Sequence, residues 1–337
     1  MRQIDPMTNQ PRSSSATVSR RHFIGVTGGL AFGGHVQAAA WPTRAIRFVA
    51  PVPPGGAVDL FVRALAEQLA GPLTQTLFVE AKPGAGGLLG ARAVARAAPD
   101  GYTMAFIHSG LLTAQAIDPA IDVLGELAPI ARLVQTPCVL VVRAESPYRR
   151  LSDLIDTVLA RPGELSFGSG GIGTPAHVAV AEIASRVPRF DALHVPYKGA
   201  VEVNNAMLAG DVDFQAGILG SVLPLLRSGQ FRALAVTSRV PVSSLPSVPT
   251  MAEAGIAGLV VEPWGGLAMP AGAPTEAVKR LNALLPSLLA AAPLSELMIR
   301  LGLVSAFADA SRFALQIAAE LSVERLRVRR LGFSAPP

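Results

Sequence analysis

The sequence predicts an α/β fold with largely parallel sheets, and three observations lead there. Short β-rich runs alternate with stretches whose apolar residues recur at helical spacing. Half of the 337 residues are apolar, which is ample material for buried cores. Glycine-rich segments sit where strands hand over to helices, the edge at which α/β sheets gather ligands.

The first unit opens with the run Ala45 to Val52, closed by Pro53-Pro54-Gly55-Gly56 and followed by helical spacing from Val58 to Ala70. The same grammar returns as Thr76 to Glu80 with Gly84 to Ala98, as Thr103 to His108 with the segment from Gly110, and as Leu165 to Phe167 with Pro175 to Arg186. Pro137 to Arg143 is a nearly continuous apolar strand, and Ala144-Glu145-Ser146-Pro147 after it reads as a crossover between lobes. A second crossover is expected near Val260 to Trp264. Between the two lie strands at Leu165 to Phe167, His194 to Pro196, Val212 to Gln215 and Ala233 to Thr237. An inserted segment of this kind gives a discontinuous first lobe, 41–142 plus 263–337, and a continuous second lobe, 143–262. No apolar run approaches the roughly 18 to 20 residues of a spanning helix.

Residues 1–40 read as an address. Ser19-Arg20-Arg21-His22-Phe23-Ile24-Gly25 is a twin-arginine pattern, followed by a moderately apolar stretch to Phe32 and the small residues Ala38-Ala39-Ala40. A mature chain is expected to begin near Trp41 outside the cytoplasm, in the periplasm. The leader also carries +3 of the formal net charge of +5, through Arg2, Arg12, Arg20 and Arg21 against Asp5. What remains is nearly balanced, its basic residues mostly scattered and without interleaved aromatics, so a nucleic-acid surface is not expected. The single cysteine, Cys138, lies in an apolar run and has no partner for an internal disulfide.

Two loops can carry anion chemistry. In Pro53-Pro54-Gly55-Gly56-Ala57, glycine lets the backbone approach a ligand and the prolines stiffen it, so Gly55, Gly56 and Ala57 can offer amides to a carboxylate. Asp59 then falls in the first helical turn, where it either complements the helix dipole or holds a ligand ammonium. The second loop, Gly168-Ser169-Gly170-Gly171-Ile172-Gly173-Thr174-Pro175, also joins a strand to a helix; Ser169 and Thr174 add hydroxyls, and Pro175 suits the first helical position. Gly168, Gly170 and Gly173 spell GxGxxG with Asp191 roughly 20 residues on, but a dinucleotide loop needs its helix to start among the glycines, and Pro175 points to a later start. No catalytic residue is expected, since no GxSxG elbow surrounds Ser109 or Ser169 and no nucleophile has an evident neighbouring base. His108, His177 and His194 lack metal-ligand spacing and read as structural histidines, so neither metal nor cofactor is expected.

Taken in order, the motifs resemble a known family. Trp41-Pro42 with Ile46-Arg47, Pro53-Pro54-Gly55-Gly56-Ala57-Val58-Asp59, Lys82-Pro83-Gly84-Ala85-Gly86-Gly87 and Ala98-Pro99-Asp100-Gly101-Tyr102-Thr103 are followed by Phe167 to Gly173 with His177. His194-Val195-Pro196-Tyr197-Lys198-Gly199, Arg232 to Thr237 and Leu245 to Thr250 complete the series. From Trp41 to about Leu331 the chain is similar to the Bug-type receptors of tripartite tricarboxylate transporters. The resemblance implies a two-lobed Venus-flytrap fold of the type II periplasmic-binding-protein kind, acting as a monomer that hands a small carboxylate to membrane permease subunits. It maps the ligand contacts onto Gly55, Gly56, Ala57 and Ser109 in the first lobe and Ser169, Gly173, Thr174 and Tyr197 in the second, with Lys198 as an attracting charge.

The sequence departs from the family at positions that bear on the ligand. Val52 stands where the family has an aromatic, Gln115 near an asparagine, and Gly217-Ile218 near an Asp-Asn pair. These changes imply a ligand without a free ammonium, or one bulkier than aspartate. Two other readings stay open at this level: a twin-arginine-exported NAD(P)-dependent oxidoreductase, and a sensory receptor of the same fold.

Overall fold

A computed structural model describes residues 41–84, 87–120 and 122–333; the leader at 1–40, with its twin-arginine pattern, lies outside them. The first part of the chain runs β1 (Ile46–Ala50), α1 (Ala57–Leu73), β2 (Leu77–Ala81), α2 (Leu88–Ala95), β3 (Thr103–His108), α3 (Gly110–Ile117), α4 (Val123–Glu126) and β4 (Leu127–Gln135). A second series follows: β5 (Cys138–Arg143), α5 (Leu151–Ala160), β6 (Ser166–Ser169), α6 (Pro175–Arg186), β7 (Leu193–Pro196), α7 (Ala200–Ala209), β8 (Phe214–Ile218), α8 (Leu219–Arg227) and β9 (Phe231–Val236). The chain closes with β10 (Trp264–Pro270), α9 (Thr275–Ala290), α10 (Ala292–Arg300), β11 (Val304–Ala308) and α11 (Ala310–Leu331). Among these elements no single helix is long and apolar enough to cross a membrane.

The strands form two sheets, ordered β11-β4-β10-β3-β1-β2 and β7-β6-β8-β5-β9. Each holds one parallel triple, β2-β1-β3 or β7-β6-β8. Antiparallel strands complete both sheets. The expectation of largely parallel sheets is therefore corrected to mixed ones. A continuous apolar run marks a strand buried on both faces but carries no direction: β5 runs against both its neighbours, β8 and β9, and β10 against both β3 and β4.

The chain leaves the first sheet after Gln135 and enters the second at Cys138, and it returns between Val236 and Trp264. Pro137 to Arg143, placed before the crossover by the sequence, thus belongs to the second sheet. Here the connecting segments are tied together: Cys138 N–H donates to Thr237 Oγ1 at 2.9 Å, Thr237 Oγ1 also bonds the Val261 carbonyl, and Thr136 N–H donates to the Pro263 carbonyl at 2.9 Å. Cys138 is fully buried, and burial pushes its thiol up to about 12, which leaves it unreactive.

Each sheet packs helices on both faces, and each face buries its own cluster. Phe48, Phe61, Leu65, Met104 and Ile130 centre one face of the first sheet, and Val49, Ile107, Trp264 and Phe313 the other. Around the second sheet the clusters centre on Leu140, Phe167, Ile183 and Phe214, and on Val139, Met207, Leu219 and Val222. The long helix α11 packs on β4 and α3 of the first sheet, yet its last turns reach α6 beside the second. There Arg327 bonds Glu182 at 2.9 Å, and Arg330 and Arg186 close on the same carboxylate. Burial alone would raise the Glu182 carboxyl; the three guanidinium groups hold it below the ordinary range.

Candidate functional site

In both sheets the parallel strands run into helices at their carboxyl ends, so α1, α3, α6, α7 and α8 all begin at such an edge. Two close approaches bring the edges together. A Cβ on Gly173, before α6, would meet Ile117 Cδ1 at 2.9 Å and Thr113 Cγ2 at 3.1 Å, both on α3. A Cβ on Gly220, at the start of α8, would lie 3.3 Å from the Cβ of Ala57, at the start of α1. The starts of α1 and α8 therefore face one another, and the loop before α6 packs on Thr113 and Ile117 of α3; each helix start has first-turn amides with no acceptor within the helix.

The first loop is shaped by a buried carboxylate. Gly55 takes φ +88°, a backbone region that favours glycine, and donates its N–H to Asp59 Oδ2 at 2.9 Å. Arg63, one turn on, pairs with the same oxygen at 3.0 Å. Burial by itself would raise the Asp59 carboxyl, but Arg63 and the Gly55 amide hold it below the usual carboxylate range. Of the amides expected to meet a carboxylate, that of Gly55 is thus committed to Asp59; those of Gly56 and Ala57 make no recorded bond among the described residues. Asp59 thus braces the loop and the helix start through Gly55 and Arg63.

Beside it, β3 ends at His108, whose Nδ1 accepts the Gly110 N–H at 3.2 Å. Burial drives His108 down to about 4, so it is neutral near pH 7. Ser109 donates its N–H to the Trp264 carbonyl at 3.1 Å, and its hydroxyl has no partner among the described residues.

In the second loop most of the hydroxyls and amides turn inward. Ser169 is fully buried: its Oγ accepts the Gly171 N–H at 3.1 Å and lies 2.7 Å from His194 Nε2. Thr174 caps α6, accepting the His177 N–H, and donates its hydroxyl to the Gly171 carbonyl at 2.8 Å. Gly173, at φ +76°, donates its N–H to His177 Nδ1 at 3.1 Å. Tyr197 donates its N–H to the Ser169 carbonyl at 2.8 Å, while its half-exposed phenol has no partner among the described residues. Ser169, Gly173 and Thr174 thus bond within their own loop and its histidines, whereas the hydroxyls of Ser109 and Tyr197 have no partner among the described residues.

Ser169 and His194 also form a serine–histidine contact that the sequence did not reveal, because 25 residues separate them. The hydroxyl is buried and spent on the loop, and no carboxylate is recorded on His194 among the described residues. It lacks the exposure and the oriented base of an activated nucleophile. Nor does the GxGxxG string hold as a dinucleotide site. Helix α6 starts at Pro175, after all three glycines, and Asp191 precedes β7, at the opposite end of the sheet from the loop. Among the described residues, no group of three His, Cys, Asp or Glu side chains is arranged to hold a metal ion.

Charge near the helix starts is sparse. Lys198 is the one cation within 51–57, 108–110, 169–175, 196–200 and 217–220, and those segments contain no carboxylate. At β8, Gln215 Nε2 donates to Asn204 Oδ1 at 2.8 Å, and Asn204 Nδ2 to the Ser221 carbonyl at 2.9 Å, a polar brace behind α8. A separate groove of about 440 Å³, lined by Arg92, Arg96, Glu126 and Pro270, lies at the other end of the first sheet and shares none of these loops.

Comparison with known proteins places this arrangement. Residues 61–332 match the family model described as tripartite tricarboxylate transporter family receptor. The chain is 36% identical over 270 residues to a UPF0065 protein from the tcbD-tcbE intergenic region of Pseudomonas sp. strain P51, covering 79% of this chain and 80% of that protein. It is 35% identical over 251 residues to BugT of Bordetella pertussis, covering 73% and 77%. Among solved structures, the periplasmic binding protein BugD superposes with a TM-score of 0.79 at 30% identity, covering 87% of this chain and 99% of that one. Rpa4515 of R. palustris with adipate gives 0.80 at 27% identity, over 87% and 99%. MatC of Rhodopseudomonas palustris with bound malate gives 0.76 at 28%, over 86% and 100%. With most of its length matched in sequence and in fold, this chain belongs to the tripartite tricarboxylate transporter receptor family, with the Bug proteins.

Proposed function

We propose that this protein is an extracytoplasmic solute-binding receptor that captures a small carboxylate between its two sheets and presents it to the membrane subunits of a tripartite transporter. One observation carries the reading: five helices start at the carboxyl ends of the parallel strands, those of α1 and α8 against each other, with a single lysine and no carboxylate in the segments that lead into them. Aligned peptide dipoles make each start a partial positive charge, so an anion is favoured there without an arginine clamp. The ligand contacts are the amides of Gly56 and Ala57, the hydroxyls of Ser109 and Tyr197, and Lys198. Gly55, Ser169, Gly173 and Thr174 shape the loops behind them. The lobes are 41–136 with 263–337, and 137–262, moving about the tied segments near Thr136 and Thr237.

The ligand is a dicarboxylate or related organic acid lacking an ammonium group. Malate and adipate, held by the two R. palustris relatives, are of this class. Asp59 is spent on Gly55 and Arg63, and Gly217-Ile218 brings no carboxylate, so nothing at the edges matches an ammonium. Export by the twin-arginine route, a periplasmic location and a monomeric state complete the reading.

A thermal-shift screen against dicarboxylates, tricarboxylates and acidic amino acids tests it. A ligand present at a hundred times its Kd adds about 2.7 kcal/mol to the folded state, a readily seen rise in Tm. Organic acids are expected to raise Tm, and aspartate and glutamate are not. A preference for the amino acids overturns the ligand class, and no response to any carboxylate overturns the receptor.

A further inference from the structure

The histidines of the second half meet in a way that the ligand reading does not use. His177 stands in the first turn of α6 and His194 on β7, and their rings stack 4.1 Å apart at 9°. Phe167 of β6 closes one side at 4.8 Å from His194, and Phe333 closes the other at 4.5 Å from His177. Phe333 arrives from the far end of the chain. Gly332, at φ +67°, ends α11 in the left-handed region, and the Phe333 N–H bonds back to the Val328 carbonyl, which folds the ring inward.

Both edges of this stack hold the glycine loop. His177 Nδ1 accepts the Gly173 N–H, and His194 Nε2 meets the Ser169 hydroxyl, which in turn takes the Gly171 N–H. We propose that His177 and His194 are positioning residues for ligand capture: as a neutral stacked pair they hold Ser169 to Thr174 in the one conformation that leaves the Gly170 and Ile172 amides uncommitted. The proposal rests on the receptor reading, since it says what keeps one of the two anion loops in shape.

The chemistry requires neutral rings. Accepting from Gly173 demands a bare Nδ1, so His177 carries its proton on Nε2. A cation there would lose that bond, lie at the positive end of α6 and stack against its twin. Burial, followed by the neighbouring His194, pushes His177 down to about 4, and burial lowers His194 as well. The ionisable groups on the surrounding elements are Glu182 and Arg186 of α6, Glu324, Arg325, Arg327, Arg329 and Arg330 in the last turns of α11, Arg189 and Asp191 before β7, Asp211 and Asp213 before β8, and Lys198 and Glu202 beyond β7. Among the described residues none pairs with either ring, and Glu182 is taken up by three arginines.

Two substitutions separate positioning from bulk. His177→Asn keeps an acceptor where Nδ1 stands, and His177→Ala removes it. Amide exchange over 168–175 at neutral pH is expected to rise about tenfold in His177→Ala, the equivalent of one lost hydrogen bond, and to return near wild type in His177→Asn. Affinity for malate and adipate, the probes used, should fall by a similar factor in the alanine variant alone. A long-range proton–nitrogen spectrum of the imidazoles should show His177 as the Nε2–H tautomer. Unchanged loop exchange in His177→Ala, equal loosening in both variants, or the opposite tautomer would each overturn the proposal. Wild-type protein that binds neither probe counts against the ligand class, while the exchange and tautomer results still decide how the loop is held.

Discussion

The loop before α1 is braced by a permanent charge, the Asp59 carboxylate with Arg63 behind it, whereas the loop before α6 is braced by neutral groups, two imidazoles and the hydroxyls of Ser169 and Thr174. The first consumes the Gly55 amide and the second those of Gly171 and Gly173, while the amides of Gly56, Ala57, Gly170 and Ile172 have no acceptor among the described residues. The two braces differ in what undoes them. A carboxylate held by a guanidinium survives mild acid, while an imidazole acceptor ends when it takes a proton.

The largest expected effect comes from removing the charged brace. Asp59→Ala orphans the Gly55 N–H and leaves Arg63 without its partner, and should cost ~2–3 kcal/mol in urea unfolding. Asp59→Asn, which keeps an acceptor, should cost less than half as much; equal costs would show that the brace does not work through Gly55.

Acid separates the loops in the other direction. His177 titrates near 4 when folded and near 6.5 when unfolded, so between these values the unfolded chain binds more protons and stability rises with pH. Its contribution is complete above 6.5, declines as pH falls through that range, and is gone near 4. Asp59, lowered from 3.8, keeps its contribution at every pH above that value and loses it only as pH falls through its folded pKa. Loop-resolved exchange, corrected for intrinsic rates, should therefore show 168–175 loosening before 53–59 on acidification. The reverse order breaks the comparison. His108 shares the window of His177, so a global melting curve alone does not separate the two.

Smaller effects sharpen the second loop. Gly173→Ala places a side chain at positive φ and presses a Cβ on Ile117 and Thr113, for ~1–2 kcal/mol by thermal melting. Thr174→Ala removes the α6 cap and should cost ~1 kcal/mol, with Thr174→Ser nearly neutral. A Thr174→Ala cost near zero would mean that Pro175 and the histidines suffice to start the helix.

Much of the fold was readable from local chemistry. Thr103 to His108 and Pro175 to Arg186 fall where the apolar pattern and the Thr174-Pro175 start signal put them. The strand β10 did not announce itself, because Trp264-Gly265-Gly266 and the closing Pro270 look like a loop. The glycines are there for space: a Cβ on Gly265 would strike the Phe106 ring, and one on Gly266 would lie 2.5 Å from the Ala131 carbonyl. At the candidate site, the sequence shows where the glycine loops follow strands β1 and β6 and open helices α1 and α6. Which groups turn inward it does not show, since the partners of Ser169 and His177 are set by tertiary contacts, His194 lying 25 residues beyond Ser169 and Phe333 more than 150 beyond His177.

The chain passes between the two sheets twice, after Gln135 and between Val236 and Trp264. Helix α11 adds a third tether: it is seated on β4 and α3, while Arg327, Arg330 and Phe333 at its end grip α6 beside the other sheet. That grip crosses from one sheet to the other apart from both connecting segments, so drawing α6 away from the end of α11 would have to break the Glu182 ion pairs and pull Phe333 off the His177 ring.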